Sequence, residues 1–185
     1  MNPLSRESID DILAIARRAP SGVNSQPWQL LFLHEQRAAE MAQLVSAHAD
    51  ALLRTAEAAT FRQCGSLWPL TDGSAPGVSA YDDAQLLEQF RALEAPLAAL
   101  CLFDVRLGHG SQLDDGMFLQ SIALVARDRG IRLRLLPAWQ LATPVVRAPL
   151  ELQENFVVLC GLAFDQKCDA LPHADGARPE IIWRE

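Results

Sequence analysis

The residues with the densest chemical potential are the run Arg18-Ala19-Pro20-Ser21-Gly22-Val23-Asn24-Ser25-Gln26-Pro27-Trp28. Pro20 biases Ala19 out of the α region. Gly22 and Asn24 are residue types that tolerate positive φ, and Pro27 holds the chain extended ahead of Trp28. Short polar side chains and main-chain N–H groups on a rigid turn suit contact with a flat, hydrogen-bonding ligand, because binding residues concentrate on loops held by rigid elements. Without a ligand the same run is an ordinary helix-to-strand connector, as most such loops are. A second candidate is Asp114-Asp115. In the first turn of a helix, two acids chiefly compensate the dipole. Paired-carboxylate acid–base chemistry needs a cleft and a proton partner, and no neighbouring motif supplies them.

The elements that must position these residues follow from periodicity. Ile9, Ile12, Leu13 and Ala16 form one apolar stripe, predicting a helix over Arg6–Arg18 with Ser5 as N-cap. A strand follows over Trp28–Leu33, then an alanine-rich helix over Gln36–Thr55, then a long aperiodic loop over Phe61–Tyr81. A short helix over Asp83–Leu93 leads into Leu97–Phe103, whose unbroken apolar run predicts a central strand covered on both faces. The next helix runs over Leu113–Arg129 with a stripe of Phe118, Ile122, Val125 and Ala126, and Gly130 is placed to stop it. Ile131–Leu136 alternates as a half-wet strand, Thr143-Pro144 opens a short helix, and Asn155–Phe164 is another apolar strand. Helices alternating with apolar strands predict an α/β sandwich. No GxGxxG follows a strand, and no Walker, HExxH or GxSxG motif occurs.

With 185 residues, half of them hydrophobic, the chain forms one domain with a substantial core. A net charge of −7 argues against nucleic-acid backbone binding. No run approaches a membrane span and the first residues lack signal-peptide regions, so the expected location is the cytoplasm. Cys64, Cys101, Cys160 and Cys168 form no CxxC pair, and His34, His48, His109 and His173 are scattered in polar contexts. Neither a metal site nor a disulfide framework is expected.

Ala19-Pro20-Ser21-Gly22-x-Asn24-x-Gln26-Pro27-Trp28 resembles the signature of the nitroreductase family, the FMN-dependent dimeric oxidoreductases. Phe90–Pro96 with its following strand, Leu113–Gln120, Cys160–Phe164 and Ala177-Arg178-Pro179 resemble that family in the same order, over nearly the whole chain. The likeness is to the nitrobenzoate-reductase-like branch. It implies an α+β sandwich with a central mixed sheet flanked by helices, as an intertwined homodimer. It further implies FMN as cofactor, NAD(P)H as reductant and a small aromatic or quinone substrate, with no nucleic-acid or membrane partner and no metal.

Residue by residue, the resemblance puts Pro20, Ser21, Gly22 and Asn24 on FMN across the dimer interface. Asp114 falls near a position that approaches the flavin from the second subunit, and Arg178 matches an arginine on the flavin phosphate. The segment that presents a backbone N–H to the reactive flavin nitrogen falls on Pro137 and Ala138; proline has no N–H, so the role passes to Ala138. The Phe61–Tyr81 region covers the substrate face in the family, which makes Trp68 either a substrate-stacking residue or an anchor for the loop. No catalytic side chain is expected, because the isoalloxazine carries the chemistry.

Two departures strain the likeness. The family's N-terminal arginine-rich phosphate-binding segment is missing ahead of the first helix, and Gly176 stands where a second C-terminal basic residue is expected. A phosphate favours charge-assisted donors, so Arg17 or Arg18 must substitute, the true start lies upstream, or tight FMN binding is lost. Two readings therefore stand: an FMN-dependent NAD(P)H oxidoreductase with ping-pong kinetics, or a degenerate homodimer of the same fold that binds flavin or a ligand weakly without turnover.

Overall fold

The computed structural model describes residues 4–64, 81–108 and 110–166. Helix α1 spans Arg6–Ala16; the Ser5 side chain accepts the Ser8 N–H, and Ile9, Ile12 and Ala16 are buried. The helix stops short of Arg18, and Arg17 and Arg18 continue only as hydrogen-bonded turns onto Leu13 and Ile15. Strand β1 is Gln29–His34 and leads directly into α2, Glu35–Ala47. The single helix expected over Gln36–Thr55 is broken at His48, whose φ of −100° and ψ of 4° leave the helical region, and the separate short helix α3 covers Ala49–Leu52.

Helix α4, Ala56–Cys64, runs four residues into the loop that the sequence predicts from Phe61. The Thr55 hydroxyl accepts the Ala58 N–H at 3.1 Å to start it. Phe61 is fully buried and packs against Tyr81 with ring centroids 5.6 Å apart. That tertiary contact overrides the weak local pattern. Helix α5, Asp83–Arg91, is opened by a capping box in which Asp82 and Gln85 each bond the other's backbone.

Strand β2, Leu97–Asp104, is buried at every position. Ala98, Leu100 and Leu102 face one core cluster while Leu97, Ala99 and Cys101 face the other, the period-two alternation of a strand covered on both sides. Helix α6, Gly110–Asp128, lies across the second face, and Gly130 ends its connection at φ 72°. Strand β3 (Arg132–Leu136), helix α7 (Thr143–Val146) and strand β4 (Phe156–Asp165) complete the described elements.

The sheet order is β1-β2-β4-β3. Every pairing among the described residues is antiparallel. Pairing direction is set by topology, and the residue pattern of a doubly covered strand does not encode it. Helices α2 to α5 and α7, with the turn Pro137–Ala142, cover one face around Trp139; α1 and α6 cover the other around Ile12 and Ile122. The architecture is an α+β sandwich.

Gly161 on β4 makes the closest approach in the first layer. A Cβ there would lie 3.0 Å from Trp139 Cγ and 3.1 Å from Leu93 Cδ1. Both neighbours are fully buried, so neither has room to move away. Gly161→Ala is expected to cost about 1–3 kcal/mol of stability through overpacking, measured as a lower urea midpoint at unchanged m-value. An unchanged midpoint would mean that the indole shifts freely.

Candidate functional site

The register gathers the candidate residues at one end of the sheet. Gln29 pairs with Leu102, Asp104 with Phe156, and Leu136 with Gly161. The turn entering β1, the turn Val105–Leu107 leaving β2, the start of α6 and the turn Pro137–Ala142 leaving β3 therefore share that end.

The first of these is a tightly wound turn. Asn24 N–H donates to Ser21 O at 3.0 Å and Ser25 N–H to Gly22 O at 2.9 Å. Gln26 N–H donates to Ser21 Oγ at 3.1 Å, and Gln26 Nε2 to Asn24 Oδ1 at 3.0 Å. The left-handed residues are Val23 (φ 48°), Asn24 (φ 58°) and Gln26 (φ 47°); Gly22 does not share that conformation. A β-branched residue in this region is strained, and Val23 is also fully exposed.

Two contacts pin the turn to α6. Gly22 N–H donates to Asp114 Oδ2 at 3.1 Å. Trp28 stacks on Phe118, with centroids 4.7 Å apart and planes 13° from parallel. Sequence reading places Ser21, Gly22, Asn24 and Asp114 together, and the fold does bring Gly22 and Asp114 into contact across 92 residues of chain.

Asp115, read from the sequence as a dipole-compensating acid of the first turn, has a different setting. It is fully buried, and neither carboxyl oxygen has a hydrogen-bond partner among the described residues. Burial, and then the charge of neighbouring Asp114, push its pKa up to about 7. The signal was in the sequence: Asp115, Phe118 and Ile122 sit at i, i+3 and i+7, on the inward face of the helix. Beyond it, Cys101 and Cys160 lie directly opposite each other across β2 and β4, both buried and unbridged. Their mutual hydrogen bond, together with burial, pushes the Cys101 thiol well up, which makes it a poor nucleophile.

At the neighbouring strand end, Arg106 Nε donates to Asp104 Oδ1 at 2.9 Å. The guanidinium holds the Asp104 carboxyl well below the usual range. This ion pair stiffens the β2–α6 connection.

Ala138 is fully buried and its N–H donates to Gln89 Oε1 at 2.8 Å. Pro137 has no N–H, so the backbone offers no free donor at either residue. Trp139 is buried beside them; its indole N–H donates to Gln89 O at 3.0 Å, and Phe90 meets it edge-on at 6.4 Å.

A pocket of about 300 Å3 adjoins this end of the sheet, walled by Leu52, Val105, Leu141, Pro144, Val157 and Leu159, with Gln140 at its lining. Arg17 lines an open groove with Trp28 and Phe118. Trp68 and Arg178 lie outside the described residues.

The profile of the Nitroreductase family matches residues 1–164. The chain is 30% identical to a 4-nitrobenzoate reductase of Pseudomonas putida over 172 residues, covering 87% of this chain and 76% of that protein. It is 29% identical to a nitrobenzene nitroreductase of Ectopseudomonas oleovorans over 187 residues, covering 92% and 81%. Among solved structures, the FMN and NADPH-dependent nitroreductase NfnB from sphigopyxis sp. strain HMH matches with a TM-score of 0.63 at 25% identity, over 90% of this chain and 81% of that one. The FMN-dependent nitroreductase NfnB from Mycobacterium smegmatis, in complex with NADPH, shares the fold with a TM-score of 0.71 at 19% identity, over 89% and 79%. The chain belongs to the nitroreductase family.

Proposed function

We propose that this protein is an FMN-dependent oxidoreductase that takes reducing equivalents from NAD(P)H and passes them to flat acceptors such as nitroaromatics or quinones. The observation that carries this reading is the strained, exposed turn at Ser21–Gln26, held against the first turn of α6 by the Gly22–Asp114 bond. A turn wound this tightly, and anchored to a helix rather than left free, is what a preorganised ligand contact requires.

The residues fit a flavin at this turn. Pro20, Ser21, Gly22 and Asn24 present an exposed polar edge, and Asp114 fixes its angle. The family resemblance assigns Arg178 to the phosphate and Trp68 to the substrate side, and both lie outside the described residues. Bound FMN supplies the hydride and electron chemistry, and the protein supplies binding, orientation and exclusion of water. The pocket walled by Leu141, Pro144 and Val157 accepts an apolar ring of the acceptor class. Successive occupation of one site by reductant and acceptor gives ping-pong kinetics.

A second copy of the chain completes the site. Val23, Leu107, Leu113 and Leu124 are exposed apolar residues, the first two on turns at this end of the sheet and the other two on α6. Covering them is the role of the homodimer partner. No helix among the described residues is long and apolar enough to cross a membrane, and the working location is the cytoplasm.

One observation favours the second reading, a weakly binding homodimer without turnover: the Ala138 N–H is committed to Gln89. An FMN titration separates the two. Quenching of FMN fluorescence with sub-micromolar affinity, followed by NADH-driven bleaching of a nitroaromatic, supports the enzyme; protein that binds FMN weakly and shows no reduction supports the alternative. Arg178→Ala is expected to weaken FMN binding at least tenfold by removing a charge-assisted donor to phosphate. Unchanged affinity would remove Arg178 from the phosphate site.

A further inference from the structure

We infer that the pocket walled by Leu141, Pro144 and Val157 selects uncharged one-ring acceptors over acceptors that carry a carboxylate, with Glu57 as its specificity-determining residue. The inference rests on the oxidoreductase reading above and names the acceptor class for the cavity assigned there. Its basis is the chemistry of the lining. Besides the aliphatic walls already described, the lining residues are Thr55, Glu57, Gln140, Thr143 and Val158.

Both threonine hydroxyls use their single proton within the protein. Thr143 Oγ1 donates to Gln140 O at 3.2 Å and accepts the Val158 N–H at 2.9 Å. Thr55 Oγ1 donates to Leu52 O at 2.8 Å and accepts the Ala58 N–H at 3.1 Å. The other polar groups are the Gln140 amide, which is uncharged, and the exposed Glu57 carboxylate on the first turn of α4.

Among the described residues no basic side chain lines this pocket. Arg54, Arg106 and Arg147 lie nearest to the lining in the chain. Arg106 is paired with Asp104, and Arg147 donates to Gln153 O at 2.6 Å and Phe156 O at 2.9 Å. The sequence 65–80 that follows α4 adds one acid, Asp72, and no basic residue. A carboxylate entering here would leave water for apolar walls that offer no counter-charge, which is costly, and would meet a like charge at the rim. A neutral ring meets neither obstacle. The volume of about 300 Å3 is at the lower end of the roughly 300–1,000 Å3 usual for small-molecule sites, which suits a single ring.

Nitrobenzene and 4-nitrobenzoate differ by one carboxylate and serve as matched probes. For FMN-loaded wild type with NAD(P)H, kcat/KM is expected to favour nitrobenzene by at least about tenfold. That ratio should shrink by about threefold in Glu57→Gln and about tenfold in Glu57→Lys, the range of one exposed charge and of its reversal. Added salt should shrink it in the wild type, because an exposed carboxylate is screened. Binding is read separately, without reductant: nitrobenzene should move the Leu52, Leu141 and Val157 methyl signals in the 13C spectrum of the FMN-loaded protein, and 4-nitrobenzoate should do so only at much higher concentration. Equal kcat/KM for the two probes, or a ratio unmoved in Glu57→Lys, overturns the inference and leaves the oxidoreductase reading standing. Motionless pocket methyls in protein that turns over nitrobenzene overturn it in the same way. FMN-loaded protein that reduces neither probe overturns the oxidoreductase reading and this inference with it.

Discussion

Asp115→Asn is expected to stabilise the protein at pH 8 by about 2 kcal/mol and to remove most of the stability lost between pH 4 and pH 7. Asp115 is fully buried with no hydrogen-bond partner for either oxygen, and its pKa is raised from an ordinary 3.8 to about 7. Below pH 4 the carboxyl is protonated in both the folded and unfolded chain, and it makes no difference to stability. Between pH 4 and pH 7 the unfolded chain gives up the proton while the fold retains it. The folded state then binds more protons, so stability falls as pH rises through this window and levels off above it. Each tenfold difference in proton affinity is worth about 1.4 kcal/mol, an upper limit of about 4 kcal/mol here. Halving that, for relaxation of a site so near the helix end, gives the expected figure. Asparagine imitates the neutral carboxyl, so the variant should match the wild type at pH 3 and exceed it at pH 8 in urea midpoints. Equal midpoints at pH 8 would mean that the carboxylate finds a partner when charged.

A buried acid without a partner is a local conflict, and such conflicts concentrate at functional sites. Asp115 sits one residue from the carboxylate that holds the Ser21–Gln26 turn. The site is thus built partly at the expense of the fold beneath it, and a second copy or a ligand that supplies a donor would relieve that cost.

Which parts of this were readable depends on the range of the interaction concerned. The first helix and β2 were legible because their signals are local: a serine cap with an i, i+3, i+7 stripe, and an unbroken apolar run. The break at His48 was hidden by alanine, which is compatible with helix on both sides of it. Helix α4 was hidden because Phe61 finds Tyr81 twenty residues on. The partner of the Ala138 N–H was not legible because Gln89, which accepts it, lies 49 residues earlier. The motif marks the Ser21–Asn24 turn, yet the positive φ angles fall on Val23 and Gln26 as well as Asn24. Residue type predicts who tolerates that conformation; the surrounding contacts decide who must adopt it.

Those contacts lead to the other large effect: Asp114→Ala is expected to weaken FMN binding about thirtyfold with little change in global stability. Left-handed backbone at non-glycine residues costs about 1 kcal/mol or more each and persists only where the surroundings hold it. At this turn the surroundings are few: the bond from Gly22 N–H to Asp114 Oδ2 at 3.1 Å and the Trp28–Phe118 stack. A hydrogen bond to a charged group contributes about 1.5–3 kcal/mol. Without it the turn relaxes in the free protein and must be re-ordered on binding, a loss of about 2 kcal/mol in affinity. The stack survives and the core is untouched, so the melting temperature should hardly move. Asp114→Asn keeps an acceptor without the charge and should fall between the two. A readout without any ligand exists, since Arg17 and Arg18 precede the turn and trypsin should cut there faster once it loosens. Unchanged cleavage together with wild-type FMN affinity in Asp114→Ala would show that the stack alone holds the turn, and Asp114 would lose its place in the site.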